Sequence, residues 1–344
     1  YANAHGKDAY HAYMKNVFGF FQVALEMHLP VEIITDDDLA DLGKLQRYAA
    51  LLLPNSACLS TPQAQAVERY VQAGGGLVAS FETGGFDEDG TRREEPALTT
   101  LFGVSRQESV LSDHWTMPLQ GVQHPILDHP DIQKAGAWHQ GQSERAKNGD
   151  LYSGPMNRLV GAVPLTSLAQ DAVSVQLLGA GKPTTLTDEK PGIHKTFVAR
   201  QVGKGKVVFF PLDIGHAYYV FNHPLARRII TRSLEWAASR PSPLRTDALM
   251  SVQTVLYEKG DARLVHLVND ISSFGRAAAP NPEAFTAFRS EVAPVHNVTV
   301  SVHGVFREAL LLPEGRTLAV TAKDGYSEAT VPRVDIHSLA VFTR

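Results

Sequence analysis

Two short, wholly apolar runs dominate the first hundred residues: "AALLLPN" at 49–55 and "GGGLVASFE" at 74–82. A strand wetted on one face alternates apolar and polar side chains. These runs do not alternate, which suits parallel strands covered by helices on both faces. Between them, "STPQAQAVERYVQAGGG" carries the marks of a helix. Ser60 stands at the N-cap, Pro62 in the first turn, Val67, Tyr70 and Val71 form an apolar stripe, and Gly74 supplies the stop. Upstream, residues 10–29 bring Tyr13, Val17, Phe20, Phe21, Ala24, Leu25 and His28 near helical spacing. "LPVEIIT" (29–35) reads as a strand, and "DDDLADLGKLQRY" (36–48) as a helix with acids in its first turn. This alternation of helix and strand predicts a doubly wound parallel sheet with right-handed crossovers.

The length of 344 residues predicts about two domains. "AVSVQLLG" (172–179) and "HKTFVARQVGKGKVVFFPLD" (194–213) read as strands, the latter a hairpin turning at Gly203-Lys204-Gly205. "HPLARRIITRSLEWAAS" (223–239) is an amphipathic helix with Leu225, Ile229, Ile230, Leu234, Trp236 and Ala237 on its inner side. "RPSPLRTD" (240–247) has the composition of a linker. Short strand patterns follow at 250–270, 296–304, 308–315, 317–325, 329–334 and 338–344, with a long polar loop at 271–295. The expected division is an α/β domain over 1–242 and a small all-β sandwich over 243–344.

A net charge of −4 offers no basic surface to nucleic acid or an anionic membrane. No apolar run reaches the length of a membrane span. A single cysteine, Cys58, excludes an internal disulfide and a cysteine-based zinc site. The chain starts at Tyr1 rather than Met. It is therefore expected to be a processed or trimmed piece of something longer, and its compartment stays open.

Several stretches resemble a known family. "LLLPNSACLSTPQAQAVERYVQAGGGLVASFETGGFDEDGTRREEPALTTLFGV" (51–104) is similar to the trimerisation domain of microbial β-galactosidases. The shared features are a Pro after the strand, a helix ending in Tyr-Val-x-x-Gly-Gly, a second strand, and a Thr-Gly followed by an acidic pair. "GKGKVVFFPLDIGHAYYVFNHPLARRIITRSLEWAA" (203–238) resembles the end of the same domain in hypothetical glycosyl hydrolases. "RLVHLVND" (263–270) and "HNVTVSV" (296–302) are similar to the β-domain that follows it there. The resemblance implies a flavodoxin-like fold related to class I glutamine amidotransferases. It further implies an accessory C-terminal portion of a carbohydrate-active glycoside hydrolase, working in homo-oligomerisation (a trimer in that family) and in walling an active site. Carbohydrate would then be met through the parent enzyme. The catalytic carboxylates of such enzymes sit on an N-terminal barrel of about 250 residues, and no segment of that length precedes residue 30.

The amidotransferase relatives use a cysteine at a sharp turn after a strand, with a His and an acid from later strands. Cys58 follows the wrong strand for that role and reads as a semi-buried small apolar residue. The nucleophile position falls instead on Glu82-Thr83-Gly84. Glu82 reads either as an acid, base or ligand at a strand end, or as a carboxylate that caps its turn through Thr83 or pairs with Arg92 or Arg93. Glycoside hydrolysis needs a second carboxyl, and Asp87, Glu88 and Asp89 lie in a loop that reads as solvated. Asp213 and His216 in "PLDIGHAYY" lie past another strand end and could join Glu82 across the sheet crevice. This Gly-His followed by a Trp-containing helix also resembles the trehalose-utilisation type of amidotransferase-like domain. His114, Trp115, His124, His129, Trp138 and His139 read as core, an oligomer interface or a sugar surface, with Trp115 and Trp138 as the sugar-binding candidates. Their spacing fits no metal motif, and no cofactor is expected. "GKGKVV" lacks phosphate-loop spacing, and Asn297-Val298-Thr299 matches the glycosylation triplet. Two further readings of function remain: a stand-alone amidotransferase-like hydrolase, and a carbohydrate-binding protein using the strand-end crevice.

Overall fold

The computed structural model describes residues 9–103, 106–112, 124–127, 129–132, 154–160, 173–178, 193–211, 213–220, 222–270 and 292–344. The chain divides into two compact units, Tyr1–Phe20 with Ile33–Arg240 and Phe21–Glu32 with Pro241–Arg344. Within the helix α1 (Ala9–Glu26), residues 9–20 thus belong to the first unit and 21–26 to the second.

After α1 the expected strand at 29–35 is absent. These residues pair with no neighbour, and Val31 and Ile33 are exposed. β-branched composition favours a strand only where a sheet edge receives it, and here only Ile34 reaches the core. The expected helix at 36–48 is two short ones, α2 (Asp36–Ala40) and α3 (Leu42–Leu45). Asp41 breaks them apart. Its backbone is extended, and its carboxylate accepts from the N–H groups of Gly43 and Lys44, capping α3.

β1 (Ala50–Leu53), α4 (Thr61–Gln72) and β2 (Gly76–Ser80) follow as the sequence predicts. Ser60 and Gln63 form a reciprocal capping box at the start of α4. Past α5 (Thr99–Phe102) come β3 (Arg106–Ser112), β4 (Gly154–Val160), β5 (Val173–Leu178), β6 (Ile193–Val202) and β7 (Gly205–Phe210). α6 (Ile214–Val220) and α7 (Pro224–Ala237) close the unit. The main sheet runs β1-β2-β7-β6-β5. β1, β2 and β7 are parallel, with Ala50 opposite Gly76 and Gly76 opposite Lys206. β6 and β5 are antiparallel additions, joined to β7 through the expected hairpin. The sheet is therefore mixed, and the wholly parallel arrangement expected holds only for those three strands among the described residues. The two-residue connection Gly203-Lys204 cannot carry a crossover, so the strand before β7 must run the other way. β3 and β4 form a separate antiparallel pair.

Helices cover both faces, which explains the unbroken apolar runs. Leu51, Leu53, Leu77, Ala79, Val207 and Phe209 join one core cluster with Val67, Tyr70 and Val71 of α4 and Phe102 of α5. Phe102 stacks on Phe209 at 4.1 Å between ring centroids. The alternate residues Val78, Val208 and Phe210 are equally buried, and α7 packs on β1, β2 and β7.

The second unit is a β-sandwich. Its strands are β8 (Leu244–Thr246), β9 (Val252–Lys259), β10 (Ala262–Asn269), β11 (Val295–His303), β12 (Glu308–Leu312), β13 (Arg316–Leu318), β14 (Thr321–Lys323), β15 (Tyr326–Val334) and β16 (His337–Thr343). One sheet runs β13-β12-β16-β10-β9 and the other β14-β15-β11-β8. Val265, Leu267, Leu311, Ala340 and Phe342 from the first meet Val298, Val300, Val302 and Val331 from the second in one core. Two expectations change. The segment 240–247 read as a linker supplies β8, which pairs with β11. The strand expected at 317–325 is two strands in different sheets. Of the loop expected at 271–295, residues 271–291 lie outside the described residues.

His28 also belongs to this unit. It adopts φ +56°, and its Nε2 lies 3.0 Å from the carbonyl of Ala248. A carbonyl only accepts, so Nε2 carries the hydrogen. Nδ1 is buried with no hydrogen-bond partner among the described residues. Burial holds the imidazole below its ordinary range, opposed by the bond to Ala248. The unfolded chain thus takes up more protons here than the folded one. This contribution to stability is full above the ordinary value of about 6.5 and is lost as pH falls through the lowered one. Thermal scans from about pH 8 to pH 5 should show a shallower acid-side fall in the His28→Asn variant than in wild type, Asn being tolerant of the left-handed backbone.

Candidate functional site

The carboxyl ends of β1, β2 and β7 lie side by side, and β1 and β2 are each followed by a sharp turn. Past β1, Asn55 takes φ +55°; past β2, Phe81 takes φ +53°. For a bulky aromatic residue that conformation costs on the order of 1–3 kcal/mol and persists only where surrounding contacts enforce it. The contacts are a knot of buried polar groups. The backbone N–H of Asn55 donates to Ser80 Oγ at 3.1 Å, and the N–H of Glu82 donates to Asn55 Oδ1 at 3.2 Å. Thr83 Oγ1 reaches the carbonyls of Ser80 and Leu53 at 2.6 and 3.2 Å. Phe81 N–H continues the ladder to the Phe210 carbonyl at 2.7 Å. Glu82 thus stands directly after the strained residue, in a tight turn past β2.

Glu82 is 1% exposed, and its Oε1 accepts from Arg92 Nη1 at 3.0 Å. Of the two readings of this residue, the ion-pair partner observed is Arg92. The Arg92 guanidinium also lies over the ring of Phe86, 5.2 Å from its centroid. Arg93 turns elsewhere, to the Leu59 carbonyl at 2.8 Å and loosely to Glu88 at 3.8 Å. Arg92 had no sequence signal beyond its closeness to Glu82. Asn55 had one, as a polar residue at the end of an apolar run.

On the neighbouring strand, Asp213 and His216 do come together: His216 Nδ1 lies 3.1 Å from Asp213 Oδ2. A carboxylate only accepts, so Nδ1 carries the hydrogen and Nε2 is the basic nitrogen. Asp213 is buried, and its Oδ1 has no hydrogen-bond partner among the described residues. The parallel register sets Ser80 opposite Phe210, so the turns bearing Glu82 and Asp213 leave adjacent strands at the same edge. α1 holds the second turn in place. Asn16 Oδ1 accepts from the N–H of His216 at 3.3 Å. Gly215 packs so closely that a Cβ there would stand 2.5 Å from the Phe20 ring and 2.8 Å from the Asn16 carbonyl oxygen.

The remaining candidates separate. Cys58 is exposed rather than semi-buried, because it lies in the open bridge to Phe86 past β1. Partial desolvation, reinforced by Asp87, Asp36 and Glu82, holds its thiol above the ordinary range, the reverse of an activated nucleophile. His124 is buried and accepts from the N–H of Ile126 through Nδ1 at 3.2 Å, with its ring edge-on to Trp236. Burial, then Lys206, lowers its pKa. His129 accepts similarly from Asp131. Both are structural histidines within local turns. Trp115, Trp138, His114 and His139 lie outside the described residues. Asn297 is exposed on β11. Among the described residues, no helix is long and apolar enough to cross a membrane, and no group of three or more His, Cys, Asp or Glu could hold a metal ion.

The sequence model of one family, trehalose utilisation (ThuA), matches residues 5–237. A comparison with curated protein sequences found no match. Three similar solved structures show the fold of the whole chain within larger proteins. An α-L-fucosidase isoenzyme from Paenibacillus thiaminolyticus aligns at TM-score 0.63 and 14% identity, over 96% of this chain and 45% of its own. A catalytic mutant of a GH42 β-galactosidase from G. stearothermophilus aligns at TM-score 0.56 and 13% identity, over 99% of this chain and 37% of its own. A β-galactosidase from Bacillus circulans sp. alkalophilus aligns at 0.52 and 13%, over 96% and 38%. The chain therefore spans less than half the length of each.

Three substitutions test this geometry. Arg92→Ala removes an ion-pair partner of a buried carboxylate; because Arg92 is itself 42% exposed, the expected loss is about 1–3 kcal/mol. Urea unfolding should show Glu82→Gln, which buries no charge, to be milder. Gly215→Ala should cost about 1–3 kcal/mol by overpacking and should shift the imidazole NMR signals of His216, which a change remote from α6 would not.

Proposed function

The chain belongs to the trehalose utilisation (ThuA) family, and from that membership we propose that it works as a non-catalytic, accessory portion of a carbohydrate-active protein. The observation that carries this reading is the residue at the turn past β2. The position directly after strained Phe81 holds Glu82, 1% exposed and tied to Arg92, where a nucleophile would have to be presented to substrate. The one cysteine stands past a different strand with its thiol pKa raised. The similar glycoside hydrolase chains are more than twice as long as this one, which agrees with chemistry seated in another part of such a protein. In this reading the α/β unit and the β-sandwich serve assembly, as a homo-oligomer, a trimer being the form the β-galactosidase resemblance implies. The carbohydrate site they wall belongs to the rest of the assembly.

A second reading rests on Asp213. Its buried Oδ1, without a hydrogen-bond partner among the described residues, and its hold on His216 favour a strand-end crevice that binds a ligand itself. Two carboxylates against one guanidinium there disfavour anions and suit a neutral polyhydroxylated ligand such as a sugar.

Light scattering over a range of concentrations separates these readings. The accessory reading expects a closed oligomer of fixed stoichiometry, weakened by Trp115→Ala or Trp138→Ala, and no release of chromophore from aryl fucosides or galactosides. A strict monomer at every concentration counts against assembly. Sugar binding or turnover that disappears in Glu82→Gln or His216→Ala, with folding intact, would replace the accessory reading by one in which the crevice itself acts on or binds a ligand.

A further inference from the structure

On the outer face of the five-stranded sheet of the sandwich, two histidines lie together. Val265 and Leu267 of β10, and Ala340 and Phe342 of β16, point into the core. His266 and His337, at the intervening positions, therefore share the opposite face. The register pairs His266 with Leu339 and Val268 with His337, which makes the histidines diagonal neighbours on adjacent strands. Nδ1 of His266 lies 3.0 Å from Nε2 of His337. The rings are stacked with centroids 5.2 Å apart, and Tyr257 of β9 meets His266 edge-on at 5.5 Å. His337 is exposed and His266 half-buried, so the nitrogen pair is open to solvent on one side.

We infer that His266 and His337 form a two-ligand surface site for a divalent transition ion of tetragonal preference, copper(II) or nickel(II). The ligand type carries the choice of metal, since imidazole nitrogens hold copper(II) and nickel(II) more tightly than the earlier divalent ions, and the nitrogen separation agrees with it. Two metal–nitrogen bonds of about 2.0–2.1 Å that span the 3.0 Å gap meet at an angle of about 95°. That is the angle between neighbouring equatorial ligands of a tetragonal ion, whereas tetrahedral zinc needs about 109° and a wider gap. The backbone positions are fixed by continuous antiparallel pairing on both sides of β10, so the two rings alone turn to aim their nitrogens at the ion. The ion takes the place of the proton shared between the two nitrogens. With no third His, Cys, Asp or Glu in reach among the described residues, water fills the remaining positions.

The test is a titration of the full chain with copper(II) sulfate, followed by calorimetry and electron paramagnetic resonance. One copper per chain is expected, with a tetragonal spectrum whose superhyperfine splitting reports two equatorial nitrogens. His266→Gln and His337→Gln should each weaken binding by about tenfold or more and leave a single nitrogen. His303→Gln, in the other sheet beside Tyr326, should change neither. Copper held equally well by both variants, or a wild-type spectrum without two nitrogens, overturns the site. Circular dichroism of the variants separates a lost ligand from a lost fold.

Discussion

The α/β unit depends on a left-handed turn at Phe81. A strand that ends there can send its next residue back over the sheet edge only if something restrains the strained backbone. That restraint is polar and buried. Asn55 donates its N–H to Ser80 Oγ across the ends of β1 and β2, Glu82 is held through its N–H, and Thr83 returns to two carbonyls. Each of these groups would cost more unsatisfied than it contributes when paired. The network therefore favours one arrangement strongly over its alternatives, and it fixes where Glu82 stands before any partner is considered. Arg92 then completes the charge.

The turn past β7 is held by a different means, close packing. Gly215 has no room for a side chain beside Phe20 and Asn16, so α1 and the first turn of α6 meet backbone to backbone. That contact places the N–H of His216 on Asn16 and leaves the imidazole to Asp213. A hydrogen-bonded knot on one strand and a steric contact on the next thus set two carboxylates and an imidazole at one edge of the sheet.

The sandwich follows simpler rules. Inward residues of its two sheets are almost all aliphatic, and the alternation along each strand is clear enough to be read from the sequence. Its connections are less regular. The run at 317–325 looks like one strand, yet it divides between the two sheets, because a short alternating segment carries no information about which edge will receive it.

The sequence by itself determined the elements whose signals are local. Ser60, Pro62 and Gln63 mark the start of α4, the unbroken apolar runs mark β1 and β2 as covered on both faces, and Gly203-Lys204-Gly205 marks a hairpin. It also placed Asp213 and His216 together past one strand end. Tertiary structure alone decided the rest. Whether 29–35 became a strand depended on a vacant sheet edge, and none received it. Whether Glu82 paired with Arg92 or Arg93 depended on how the loop after it folded back, which one-residue differences in a chain do not encode. His266 and His337, seventy-one positions apart in the chain, became neighbours only through the register of β10 on β16. Local propensity acts over a few residues, whereas pairing register, sheet order and the choice among competing charges are settled by long-range contacts that no short stretch contains.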